Sequence, residues 1–219
     1  MEAEVLTYQG DSQQVVQLLR DYHPSPFSAA DIEIKRQLLL SLAHTRLNQV
    51  TQSNHELQTA QQLSRDDDSA LQGEVLQTEG LIAFHRDQLA TASESFESSL
   101  EFARHHGDTF LETSDLLNLG TVSLHYEQYD DALSRFEDAS TIAAKTGARY
   151  GLELALGNAG WAYYKLGDFE KSLFNFQQAE QQARELGLTH YQIVWSTNAG
   201  LSYYRLGDLK SAEANYERA

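Results

Sequence analysis

Apolar and polar positions follow the period of an α-helix along most of the chain. In LELALGNAGWAYYKLGD, residues 152–168, the apolar side chains Leu152, Leu156, Ala159, Tyr163 and Leu166 recur at threes and fours. That spacing gathers them on one face of a helix. Gly167-Asp168 then stops this helix and opens another, with Asp168 a residue type suited to the N-cap. The second helix is expected to bury Phe169, Leu173, Phe176 and Ala179. It is expected to end at Leu186-Gly187-Leu188, where a glycine suits the C-cap. The chain has two prolines, Pro24 and Pro26, so long uninterrupted helices are expected beyond them.

The helical pattern is itself repeated. Gly80, Gly120, Gly160 and Gly200 stand 40 apart. Asn118, Asn158 and Asn198 precede three of them by two positions. Leu89, Tyr129, Phe169 and Leu209 follow at nine, Ala92, Ala132, Ser172 and Ala212 at twelve, and Phe96, Phe136, Phe176 and Tyr216 at sixteen. Self-similarity at a fixed period of this size signals stacked supersecondary units, here pairs of helices. The Gly and Ala positions are small because two helices cross there, and a bulky residue at Gly160 is expected to push them apart.

The early chain fits the pattern loosely. Gly10-Asp11 followed by Val15, Val16 and Leu19 reads as a turn and the second helix of a pair. HPSPF, from His23 to Phe27, reads as a loop, and Ser28 to Asp31 as a start resembling a capping box. Ser41 and Asn48 take the glycine places, with the period one residue shorter. The expected division is one solenoid over 1–219: a partial repeat at 1–27, a degenerate one at 28–68, full repeats at 69–108, 109–148 and 149–188, and a truncated one at 189–219. No polar capping helix closes the array, so a fragment of a longer protein is expected.

Composition narrows the function classes. The 219 residues are 41% hydrophobic, enough for a sizeable core, and carry 16 Lys plus Arg against 32 Asp plus Glu, a net charge of −16. Such a charge repels phosphate backbones and anionic membranes, so neither nucleic acid nor membrane is an expected partner. Solubility alone also accounts for it. There is no cysteine, which excludes disulfides and thiolate metal sites and leaves the compartment open, the cytoplasm being the default. No apolar run approaches the ~18 residues of a membrane span, and no signal-peptide pattern opens the chain. His105-His106 reads as a solvated helix end. His85 and His125 lie on different repeats, too far apart to share a zinc with bonds of ~2 Å. Asp66-Asp67-Asp68 lacks the alternation and glycine of a calcium loop and reads as a helix start. No Ser-His-Asp grouping and no phosphate-binding glycine loop is present. No enzyme activity, cofactor or metal is expected.

The segment LGNAGWAYYKLGDFEKSLFNFQQA, residues 156–179, resembles the tetratricopeptide repeat family. It carries the family's Gly, Tyr, Gly-Asp, aromatic, small and Ala positions, with Ser172 where the family prefers Ala. The resemblance is strong over 69–219 and fades before that. It implies an all-α fold, a right-handed superhelical solenoid of antiparallel helix hairpins with about twelve helices. The family's usual period is about 34, and the six extra residues here amount to roughly one and a half helical turns. The implied function is a protein- or peptide-binding scaffold with an extended peptide in the concave groove. A second resemblance concerns LGNAGWAYYKLGDFEKS followed by ARELG. This 40-residue form is similar to the N-terminal repeat region of bacterial proteins with a downstream caspase-like (CHAT) peptidase domain, which implies a regulatory or sensory role.

In such a solenoid, first helices line the concave side. Asn118, Asn158 and Asn198 form one column there. An amide both donates and accepts toward a peptide backbone, and in some relatives an asparagine ladder holds an extended peptide. The alternative is that each Asn bonds a neighbouring repeat. A second column holds His85, His125, Lys165 and Arg205, with Arg46 one repeat earlier. Anion or carboxylate binding is one reading, and favourable helix-dipole placement of ~0.3–1 kcal/mol is the other. The two histidines are expected to titrate near ~6.5. Trp161, Tyr164 and Tyr204 form an aromatic wall suited to peptide side chains or, equally, to the core. The expected partner is thus a protein or peptide, with acidic ones favoured by the basic column. The oligomeric state stays open.

Overall fold

The computed structural model describes residues 3, 11–20, 22, 30–64 and 71–219. Gly10, the loop from His23 to Phe27, the helix start at Ser28 and the Asp66-Asp67-Asp68 start lie outside these residues. Among the described residues there are eleven α-helices and no strand. They are α1 (Ser12–Arg20), α2 (Ala30–Arg46), α3 (Val50–Leu63), α4 (Gln72–His85), α5 (Leu89–His106), α6 (Thr109–His125), α7 (Tyr129–Thr146), α8 (Arg149–Leu166), α9 (Phe169–Glu185), α10 (Thr189–Leu206) and α11 (Leu209–Arg218). The chain divides into two compact units, 1–102 and 103–219, with the boundary inside α5.

In the first unit, α2 packs on α1, α3 and α4. One core gathers Val15, Leu19, Leu40 and Ala43, and another Ile34, Leu38, Ala60, Leu71 and Val75. Ser41, in the glycine place, is fully buried and donates from Oγ to the Ser53 carbonyl at 3.1 Å. A small residue is needed there, and its hydroxyl is satisfied by the facing helix.

In the second unit, each second helix packs on its own first helix, and α7 and α9 pack on the next first helix as well. The first helices also touch one another, α6 against α8 and α8 against α10, whereas α7, α9 and α11 make no mutual contact. First helices therefore run along the inner side of this unit. Its core joins Phe176, Ala179 and Ala183 of α9 to Trp195 and Ala199 of α10.

The repeating glycines and the aromatics sixteen residues on are partners. A methyl group at Gly120 would stand 2.4 Å from the Phe136 ring, and one at Gly160 would stand 2.9 Å from Phe176. Gly80 meets Phe96 and Gly200 meets Tyr216 in the same way. The ring of the second helix thus lies on bare backbone of the first.

The expected apolar stripe of α8 needs correction. Leu152, Leu156 and Tyr163 are half-buried and Leu166 is exposed, while Ala155, Ala159 and Ala162 are fully buried or nearly so. Phe169 and Leu173 of α9 are likewise only half-buried. A helix flanked on three sides buries its small residues deepest, where backbones approach most closely, and leaves larger side chains to fill the margins.

Turns and caps follow local chemistry. Asp108, Asp168 and Asp208 cap α6, α9 and α11, accepting from Leu111 N at 3.0 Å, Lys171 N at 3.1 Å and Ser211 N at 3.0 Å. One residue in the turn after each described first helix has positive φ, directly after the helix in the last two pairs and two positions past it in the earlier ones. It is Gly167 and Gly207 in the last two pairs, but Asn48 (φ 58), Asp87 (φ 59) and Glu127 (φ 58) in the earlier ones. No helix among the described residues is long and apolar enough to cross a membrane.

Candidate functional site

The candidate site lies in the second unit, on α6, α8 and α10. Two positions along a helix turn a side chain through ~200°. Since Gly120, Gly160 and Gly200 face their second helices, Asn118, Asn158 and Asn198 point away from them, toward the inner side. All three are half-buried. None of the three amides makes a hydrogen bond to another described residue. The alternative in which each Asn bonds a neighbouring repeat thus has no bond to represent it.

The basic column shares this face. Asn158, Trp161 and Lys165 are spaced i, i+3, i+7 on α8, as are Asn198, Leu201 and Arg205 on α10. These spacings place each trio on one stripe, with the cation ~10 Å beyond the amide toward the helix C-terminus.

At that end the aromatic wall and the cations interlock. Trp161 and Tyr164 stack with ring centroids 5.3 Å apart and planes 4° apart. The Lys165 ammonium lies 5.4 Å from the Trp161 ring. Arg205 reaches back from the next repeat. Its guanidinium stands 4.2 Å from the Phe169 ring and 5.5 Å from that of Tyr164, and Nη1 donates to the Tyr164 hydroxyl at 3.3 Å. Neither Lys165 nor Arg205 pairs with a carboxylate among the described residues, although acidic groups outnumber basic ones 32 to 16. Apart from that hydroxyl bond, their contacts described above are with π-faces, which leave the positive charge available to an anion. Tyr204 is 60% exposed, so it belongs to the surface rather than the core.

The histidines behave differently. His85 lies in the first unit, where partial burial and then the Arg46 charge hold its imidazole below the ordinary value. This corrects the expectation of titration near ~6.5, since both causes disfavour the charged ring. His125 occupies the equivalent place at the end of α6.

Sequence reasoning missed two participants. Phe169 was assigned to the core, yet it supports Arg205. Glu153 of α8 is fully buried and accepts a hydrogen bond from Trp195 Nε1 of α10. Its other carboxylate oxygen has no partner, and burial raises its pKa from 4.5 to about 7, with the Trp195 bond acting against the rise. A lone Glu inside an apolar helical run was the available signal. Among the described residues no group of three or more His, Cys, Asp or Glu could hold a metal.

Tetratricopeptide repeat profiles match residues 112–185 and 197–219. No curated protein sequence matches the chain significantly. Solved structures do. A Signal Transduction ATPase with Numerous Domains (STAND) protein with a tetratricopeptide repeat sensor, from Pyrococcus horikoshii, is 18% identical with a TM-score of 0.80. The match covers 99% of this chain and 34% of that one. BtubC (BKLC) from P. vanneervenii is 15% identical with a TM-score of 0.77, covering 95% of this chain and 87% of that one. A Rap protein complexed with Competence and Sporulation Factor is 17% identical with a TM-score of 0.68, covering 99% and 60%. At these identities the likeness is one of fold, an all-helical solenoid of hairpins. The chain spans about a third of the STAND protein.

Proposed function

We propose that this chain, with tetratricopeptide repeats at 112–185 and 197–219, is a protein-interaction scaffold that holds an extended peptide along α6, α8 and α10. Asn118, Asn158 and Asn198 bond the peptide backbone. Lys165 and Arg205 attract its acidic groups, and Trp161, Tyr164 and Tyr204 take its side chains. The observation that carries this reading is that three half-buried amides, one per repeat, have no hydrogen bond within the described residues. Desolvating an amide without a partner is costly, and a peptide backbone would remove that cost. Successive first helices lie ~10 Å apart, so each amide would meet about every third residue of an extended chain. The structure of a Rap protein with Competence and Sporulation Factor gives the reading a precedent in fold.

The test is titration of labelled acidic and neutral peptides against variants. Asn158→Ala with Asn198→Ala is expected to weaken binding roughly tenfold or more while stability changes by about 1 kcal/mol. Lys165→Ala and Arg205→Ala are each expected to weaken acidic peptides selectively, and added salt to shrink that difference. A large fall in melting temperature with unchanged binding would return the asparagines to a packing role. If acidic peptides show no preference, the cations serve the helix ends alone.

The match to about a third of a STAND protein with a repeat sensor favours a second reading. There the repeats form the sensory or regulatory part of a longer polypeptide, of which a CHAT peptidase protein is one form. The coding sequence beyond Ala219 tests it. A downstream peptidase domain with its own His and Cys supports this reading, and a stop codon removes it.

A further inference from the structure

The first unit contains an open cavity of about 740 Å³ between α1, α2 and α3, within the size range of small-molecule sites. A void in a degenerate repeat would be expected to be apolar and to close by side-chain relaxation. This one is lined by Arg20, Arg36, His44 and Glu56 together with glutamines that include Gln13 and Gln52.

The charges in it are unevenly satisfied. His44 Nδ1 and Glu56 Oε2 stand 2.6 Å apart, both nearly buried, and answer each other. Arg36 donates from Nε to the Leu19 carbonyl at 3.2 Å and from Nη1 to Glu33 at 3.0 Å. Its Nη2 has no bond to a described residue. Arg20 has neither a hydrogen bond nor an ion pair with any described residue. The cavity therefore has in its lining the Arg20 guanidinium and a further N–H of Arg36, donors of the kind that bind a planar anion. Val16 and Leu40 add apolar wall.

We propose that this cavity is a second binding site, distinct from the asparagine face, for a small carboxylate-bearing ligand. The carboxylate sits on Arg20 and Arg36 Nη2, the glutamine amides bond the polar body, and Val16 and Leu40 pack its carbon chain. A free organic acid and the C-terminal end of a peptide share this chemistry.

Calorimetric titration of the full chain with succinate, acetyl-Ala-Ala and acetyl-Ala-Ala amide tests the proposal. Saturable binding of succinate or of the acid peptide is expected, and none of the amide. Succinate alone assigns a free organic acid, and the acid peptide alone a chain terminus. Arg20→Gln is expected to weaken binding roughly tenfold or more at an unchanged melting temperature, since Arg20 makes no hydrogen bond or ion pair with a described residue. Gln52→Trp, which fills the cavity, is expected to abolish it. The Lys165→Ala/Arg205→Ala variant is expected to bind as the wild type does. The proposal is overturned if no probe binds, if the amide binds as well as the acid, or if Arg20→Gln binds normally. It is also overturned if loss of Lys165 and Arg205 removes the binding.

Discussion

Glu153 shows what one buried acid does to the energetics of a repeat stack. Its carboxyl titrates near 4.5 when exposed and is raised to about 7 when folded. Between those values the folded chain binds the extra proton, so stability falls as pH rises from about 4.5 to about 7 and levels off above. Glu153→Gln keeps an acceptor for Trp195 and removes the charge. At pH ~8 it should stabilise the protein by about 2 kcal/mol, and at pH ~4 it should change little. Urea denaturation at both values checks this, and a variant no more stable at the higher pH would show that the carboxyl is not strained. At this scale the sequence was legible where residue type and period agree: the asparagines, the cations and the Asp caps. It was not legible for Glu153, because a helical period says which face a residue is on and not how many neighbours that face has. The cavity around Arg20 and His44 was hidden for another reason. Its walls come from three helices whose registry no single repeat records.

Among the elements, the turn after each described first helix keeps a positive φ while its residue type changes from repeat to repeat. Gly167 and Gly207 suit positive φ, but Asp87 and Glu127 hold the same conformation with a side chain attached. A left-handed residue with a Cβ costs roughly 1–2 kcal/mol, less for Asn and Asp. Glu127→Gly should therefore stabilise the protein by about 1 kcal/mol, and Gly167→Ala should destabilise it by a similar amount. Thermal denaturation of the two variants decides the point, with equal melting temperatures counting against a strained turn. Helix boundaries near Gly167-Asp168 were readable because both turn and cap carry their usual residues. The corresponding turn at Tyr126-Glu127-Gln128 has neither signal. Tertiary packing of α6 against α7 bends the chain there without help from local propensity.

For the molecule as a whole, each unit has a hydrophobic cluster of its own, and both tryptophans, Trp161 and Trp195, lie in 103–219. Tryptophan fluorescence therefore follows only the second unit, whereas far-ultraviolet circular dichroism follows all the helices. Phe96→Ala removes the ring that covers Gly80 and should cost the first unit about 3–5 kcal/mol. In an array stabilised by nearest neighbours, the dichroism curve should then move to lower denaturant before the fluorescence does. Coincident curves would mean that the repeats unfold as one. The glycine and the ring that covers it also govern how such a gene can change length. Gly160 and Phe176 are sixteen positions apart, and one inserted residue between them would swing the ring ~100° off the bare backbone. From Phe176 to Gly200 there are twenty-four positions, and another pair crosses that interval: a methyl group at Gly157 would stand 2.4 Å from the Trp195 ring of the next repeat. The irregular periods lie early in the chain, where second helices start 38 apart at Ser12 and Val50 and 39 apart at Val50 and Leu89, and they break no Gly–aromatic pair at sixteen. Duplication and drift therefore work within a punctuation of their own: residues are gained or lost ahead of Gly80, where no glycine stands sixteen before an aromatic, and not where a ring already lies on bare backbone.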